Sequence, residues 1–129
     1  VTELQLQESL LFNLNMQYGQ NGFFWTNQSS GYFDANKKIF RKHTTKFTIN
    51  GVSDILGIYK SRFVALEVKR PGELKWWLKN KDTCKLSDKS IRFKNQENFI
   101  NKIIEHGGIA GFVSSIEEAE NLLSDKDTL

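Results

Sequence analysis

Three charged side chains stand inside two runs apolar enough to be buried strands. Asp54 lies in Gly51-Val52-Ser53-Asp54-Ile55-Leu56-Gly57-Ile58-Tyr59, and Glu67 and Lys69 lie in Arg62-Phe63-Val64-Ala65-Leu66-Glu67-Val68-Lys69-Arg70-Pro71-Gly72. Desolvating a charge is costly, so such residues are expected there only where a partner, a metal ion or a reaction compensates them. Side chains alternate along a strand, which puts Glu67 and Lys69 on one face with Phe63 and Ala65, and Val64, Leu66 and Val68 on the other. If Tyr59-Lys60-Ser61-Arg62 joins the runs as an antiparallel hairpin, Asp54 comes within reach of the Glu67 and Lys69 end. Two carboxylates and an ammonium then converge. Hard cations such as Mg²⁺ prefer carboxylate oxygen and keep several waters, leaving room for a phosphate oxygen and a nucleophilic water. A lysine can orient that water or stabilise charge growing on phosphorus. A structural cluster of ion pairs is the plainer alternative.

The elements around this hairpin follow from periodicity. The chain of 129 residues fits one domain, read as 1–124 with an insertion at about 73–93 and a short tail over 125–129. Residues from about Glu3 to Tyr18 form a helix with Leu6, Leu10 and Leu14 on one stripe, ended by Gly19 and Gly22. Phe23 to Thr26 is a short aromatic strand whose Trp25 is expected in the core, Asn27 to Gly31 a loop, and Lys37 to Phe47 an extended stretch. Pro71-Gly72 stops the second strand of the hairpin. A helix from about Asn95 to His106 carries Phe99, Ile100, Ile103 and Ile104, and Gly107-Gly108 closes it. Ile109 to Val113 reads as a buried strand, and Ser115 with Glu118 as the capping box of a last helix through Leu123. The order is α/β.

An apolar fraction of 39% with 26% charged residues describes a globular chain, and no apolar run reaches the ~20 residues of a membrane span. With no secretory leader at its start, the chain is expected to be cytoplasmic. A lone Cys84 with His43 and His106 offers no ordinary zinc site, so any metal would be bound by oxygen. The net charge is +3, but the basic residues are clustered. Lys37, Lys38, Arg41, Lys42, His43 and Lys46 crowd one segment; Lys75, Lys79, Lys81, Lys85, Lys89, Arg92 and Lys94 crowd another. Such faces suit a polyanion, although a charge run by itself is usually a solvated surface.

The arrangement Gly51-x-x-Asp54, then Glu67-x-Lys69, resembles the catalytic signature of the PD-(D/E)XK nuclease superfamily. The fuller string resembles its viral replication and repair nuclease (VRR-NUC) branch. Similar positions are Glu3-x-x-Leu6-Gln7, Trp25-x-Asn27, Gly31, Gly51-x-Ser53-Asp54-Ile55-Leu56-Gly57, Arg62-Phe63, Glu67-Val68-Lys69-Arg70-Pro71-Gly72, Gln96-x-x-Phe99, Gly107-Gly108-Ile109-Ala110 and Ser115-Ile116-Glu117-Glu118-Ala119. A bare acid and Glu-x-Lys pair is weak; the ordered flanking set is more specific and spans nearly the whole chain.

The resemblance implies a restriction-endonuclease-like fold, a central mixed sheet flanked by helices. It implies Asp54 and Glu67 as carboxylate ligands of Mg²⁺, with Mn²⁺ able to substitute, the Val68 carbonyl as a further ligand, and Lys69 as catalytic lysine. Glu3 would complete the metal site from the first helix, with Glu8 its rival, and Gln96 would support the metal and the attacking water. It further implies a homodimer cutting branched DNA such as four-way junctions, in viral or mobile-element replication, recombination or repair. Lys37, Lys38, Arg41, Lys42, Arg70 and Lys75 are the residues expected to meet DNA. A non-selective or restriction-like nuclease and a DNA-binding module that does not cut are the alternatives. The chain departs from the family pattern at Glu73 to Phe93, where Trp76 and Trp77 lie among lysines. That mixture suits nucleic-acid contact or, equally, packing on the core.

Overall fold

Helix α1 (Glu3–Tyr18) starts where Thr2 and Gln5 cap each other. The Thr2 hydroxyl accepts the Gln5 N–H at 3.1 Å and the Gln5 side chain accepts the Thr2 N–H at 2.9 Å. The computed structural model describes residues 1–27, 31–42, 49–82 and 87–124, and residues 31–33 and 40–42 by backbone alone. Leu10 and Leu14, one helical turn apart, are buried. The strand β1 (Gly22–Thr26) follows, and Asn15 ties it to α1. Its amide donates to Phe24 O at 3.1 Å and accepts the Phe24 N–H at 3.0 Å. That amide occupies part of the outer edge of β1, an end strand among the described residues.

Strands β2 (Gly31–Asp34) and β3 (Ile39–Lys42) pair antiparallel as a separate two-stranded sheet. Their turn is set by Asp34, whose Oδ1 accepts the N–H groups of Asn36 and Lys37, and by Lys38 at φ 57°. The extended stretch expected over Lys37 to Phe47 is therefore a turn and then β3, while residues 43–48 lie outside the described residues. The strands β4 (Ile55–Tyr59) and β5 (Arg62–Val68) form the expected hairpin. Lys60 and Ser61, at φ 49° and 69°, give the left-handed pair a two-residue hairpin turn requires.

Two helices, α2 (Pro71–Asn80) and α3 (Asp88–Glu105), carry the chain over to β6 (Ile109–Val113), and α4 (Ile116–Ser124) closes the fold. The order of the main sheet is β1-β4-β5-β6, antiparallel except for β6, which runs parallel to β5. A parallel neighbour needs a crossover, and α2 and α3 supply it. One face buries Phe24, Ile55, Val64, Leu66, Val68, Ile109 and Val113 under α1 and α4; the other buries Ala65 and Ala110 under Phe99 and Ile100 of α3. Each such Val, Leu, Ile or Phe side chain stabilises the fold by roughly 1.5–3 kcal/mol.

The segment from Glu73 to Phe93, to which the sequence assigned no element, carries most of α2 and the first turns of α3, and Pro71 at the first helical turn starts a helix as readily as it ends a strand. Two expectations are corrected. Helix α3 begins two turns before Asn95, at a box in which Ser87 and Ser90 cap each other. Trp25 is not core: it is 37% exposed, and Phe23 57%, because the inward position of this end strand belongs to Phe24. Among the described residues no helix is long and apolar enough to cross a membrane.

Gly51 fixes the approach of α3 to the loop before β4. It sits at φ 81°, and a Cβ there would meet the Asn95 carbonyl group and lie 2.7 Å from Gln96 N. Gly51→Ala is expected to lower stability by more than about 1 kcal/mol, read by urea unfolding. An unchanged midpoint would contradict this close packing.

Candidate functional site

Strand register brings the acids together. Ile55 pairs with Leu66, so the residues one step further out, Asp54 and Glu67, face each other at the open end of the hairpin. Backbone groups hold them there: Asp54 Oδ2 accepts the Val68 N–H at 3.0 Å, and the Asp54 carbonyl accepts the Asn27 N–H at 2.8 Å. The Lys69 N–H donates to Val113 O at 2.9 Å, extending the β5–β6 ladder by one residue. Glu67 is 2% exposed and Lys69 6%, while Asp54 is half-buried. All three lie at this end of the hairpin, with Glu67 and Lys69 on the α3 face of the sheet.

The environment of Glu67 opposes ionisation. Burial pushes its carboxyl from 4.5 up to about 10; the hydrogen bond with Asp54 and the Asp54 charge add to this, Lys69 opposes it, and Glu3 contributes a smaller upward push. Without a cation, the acidic pair therefore keeps a proton at neutral pH. Among the described residues, Glu67 Oε1 nevertheless has no hydrogen-bond partner, and neither do the buried Gln96 Oε1 and Ser53 Oγ. A buried polar atom left unpaired costs about 1–3 kcal/mol. An oxygen-preferring cation between Asp54 and Glu67 would satisfy such acceptors without needing a donor, and would displace the shared proton.

The other expected ligands stand further back. Glu3, in the first turn of α1, is half-buried and close enough to Glu67 to act on its ionisation; Glu8 is exposed. Among the described residues no three His, Cys, Asp or Glu side chains form one metal-holding group, so the acidic centre is a pair with Glu3 outside it. Gln96 lies on the buried stripe of α3 with Ser90, Phe93, Phe99 and Ile100. The Gly51 contact keeps it against the loop that carries Asp54.

Of the basic residues, Lys37, Lys38 and Lys75 are exposed. Arg70 is exposed too, 3.9 Å from Glu73. Arg41 and Lys42 fall on β3, placed by their backbone. His43, Lys46, Cys84, Lys85 and the 125–129 tail lie outside the described residues. Several cations of the crossover are committed within it. Lys89 pairs with Glu73 at 3.1 Å and lies 4.1 Å from the Trp76 ring centre, and Lys81 and Lys94 pair with Glu97 at 3.4 and 3.6 Å. Trp77 is 2% exposed, donates its Nε1–H to Glu97 at 3.1 Å and stacks on Phe93. Packing, one of the two roles open to it in the sequence, is the one it fills. His106 ends α3, its Nδ1 2.8 Å from Lys102 O.

One neighbour of the site escaped sequence reasoning. Lys69 Nζ lies 4.4 Å from the centre of the Phe93 ring. The available signal was spacing: Phe93 precedes Gln96 by three residues and shares its helical face.

Protein-family models and curated proteins were searched and give no match to this chain.

Glu67 gives stability a direction in pH. A carboxyl whose folded value is raised from 4.5 to about 10 contributes stability that is fully present below 4.5 and lost as pH rises through that window. Metal-free protein is expected to lose stability between about pH 5 and 9, and Glu67→Gln, neutral throughout, to flatten that slope. Urea unfolding in EDTA across the range reads both. Equal slopes in the two proteins would contradict the assignment.

Proposed function

We propose that this chain is a divalent-cation-dependent nuclease that hydrolyses phosphodiester bonds in DNA. The observation that carries the reading is the Asp54–Glu67 pair: two carboxyl groups facing each other at the end of a buried sheet, one with an unpartnered oxygen. Lys69 stands on the same face without an ion pair to either acid. The acids and the Val68 carbonyl would hold Mg²⁺, or Mn²⁺ in its place, with Glu3 supplying an outer carboxylate. When bound, such an ion polarises a phosphate oxygen and makes its coordinated water more acidic.

The chain's own groups then divide the work. Lys69 offers its ammonium to the phosphate oxygens and stabilises the charge that grows as water attacks phosphorus. The unpartnered Gln96 Oε1 accepts a hydrogen bond from that water and orients it. The new P–O bond forms in line as the bond to the 3′ oxygen breaks, leaving a 5′-phosphate and a 3′-hydroxyl. The exposed Lys37, Lys38, Arg70 and Lys75 suit the DNA backbone.

The order of helix, three antiparallel strands, crossover, parallel strand and helix is compatible with the restriction-endonuclease-like fold of the PD-(D/E)XK nucleases. VRR-NUC membership is part of this reading and rests on the sequence resemblance. Preference for four-way junctions and action as a homodimer, in which two-fold related sites would nick opposing strands, belong to the same proposal.

Asp54→Asn keeps an acceptor for the Val68 N–H but removes the charge. It should lower Mg²⁺-dependent nicking of supercoiled plasmid by roughly 100-fold or more while DNA binding persists. Undiminished cutting by this variant would sink the reading. Binding without cutting by the wild-type chain would favour a DNA-binding module instead. Four-way junction, flap, duplex and single strand compared as labelled substrates then separate junction preference from general nuclease action.

A further inference from the structure

Lys69 is buried along most of its length, yet it forms no ion pair with Asp54 or Glu67. Its close neighbour is the face of Phe93, with Nζ 4.4 Å from the ring centre, and Phe93 itself is completely buried. That ring is clamped. Trp77 stacks on it at 5.2 Å and 12°, Phe112 of β6 lies 5.9 Å away, and Trp76 lies 6.0 Å away. Trp77 is held in turn by its Nε1–H bond to Glu97, which also gathers Lys81 and Lys94. The crossover thus builds a fixed aromatic stack under one lysine.

The chemistry of that contact differs from that of a salt bridge. A carboxylate partner would neutralise the ammonium and take up its N–H donors, whereas a ring face attracts the positive charge through its quadrupole. Three N–H donors and the full charge stay available to an anion. Lysine is also a flexible four-carbon stem, and a platform beneath its end limits where that charge can go.

We propose that Phe93, backed by Trp77, is a positioning residue that holds the Lys69 ammonium over the site, uncommitted to Asp54 or Glu67 and ready for a phosphate oxygen. This rests on the nuclease reading for the identity of the anion, but not for the contact. It also gives the segment from Glu73 to Phe93 a role in the site: α2 and the first turns of α3 form the support of Lys69.

The test has an arm that needs no cleavage. In the wild-type protein without metal, the Lys69 CεH₂ protons, assigned by their loss in Lys69→Arg, should resonate upfield of the other lysines because they lie over a ring. They should move to the ordinary lysine position in Phe93→Leu and stay shifted in Phe93→Tyr. An unshifted resonance in wild type would overturn the proposal whatever the variants do. In Mg²⁺-dependent cleavage, Phe93→Leu should lower kcat by about 3- to 30-fold, the range a cation–π contact spans, with KM changed less, and Phe93→Tyr should restore it. Wild-type kcat in Phe93→Leu, or a Phe93→Tyr variant as slow as Phe93→Leu, would also overturn it. If the wild-type chain cuts nothing, the nuclease reading falls while the resonance still decides the position of Lys69.

Discussion

The constraint on which the site depends is that a buried Glu67 faces a half-buried Asp54. Two carboxylates in that position cannot both be charged without something positive between them. A proton meets the need in the metal-free chain, which is why the Glu67 carboxyl is pushed so far up. A cation would meet it equally and would use the oxygen that the proton leaves unpartnered. Lys69 offsets this only in part, and its ammonium lies over the Phe93 ring.

Much of the fold serves to keep that pair in place. The left-handed turn at Lys60 and Ser61 fixes the hairpin register, and the register sets Asp54 opposite Glu67. A slip of one residue would turn every side chain of β5 over, sending Glu67 and Lys69 into the core under α1. The parallel pairing of β6 supplies the carbonyl that receives Lys69, and the crossover it demands delivers both Gln96 and the aromatic stack. Helix α1 closes the opposite face through Leu10 and Leu14 and brings Glu3 near the acids.

How much of this was legible depended on whether a residue's role is local. The hairpin, α1, β6 and α4 follow from alternation, helical spacing and caps, all properties of adjacent residues. The pairing of Asp54 with Glu67 was also readable, since two strands joined by a two-residue turn leave one natural register. Helix α2 was hidden because Pro71 signals both the end of a strand and the start of a helix. Trp25 misled because size and aromaticity say nothing about which face of an end strand is covered. Phe93 could not be assigned to Lys69 from sequence, as the contact joins residues brought together only by the crossover. The division between Glu3 as a remote charge and Asp54 and Glu67 as a close pair is likewise a matter of tertiary distance.

The most direct measurement is the proton released when a cation binds. Mn²⁺ titrated calorimetrically at pH 7.5 in buffers of different ionisation enthalpy should expel about one proton per ion from wild-type protein, and close to none from Glu67→Gln. Binding with no proton release from the wild type, or no binding at all, would contradict a cation site built on the Asp54–Glu67 pair.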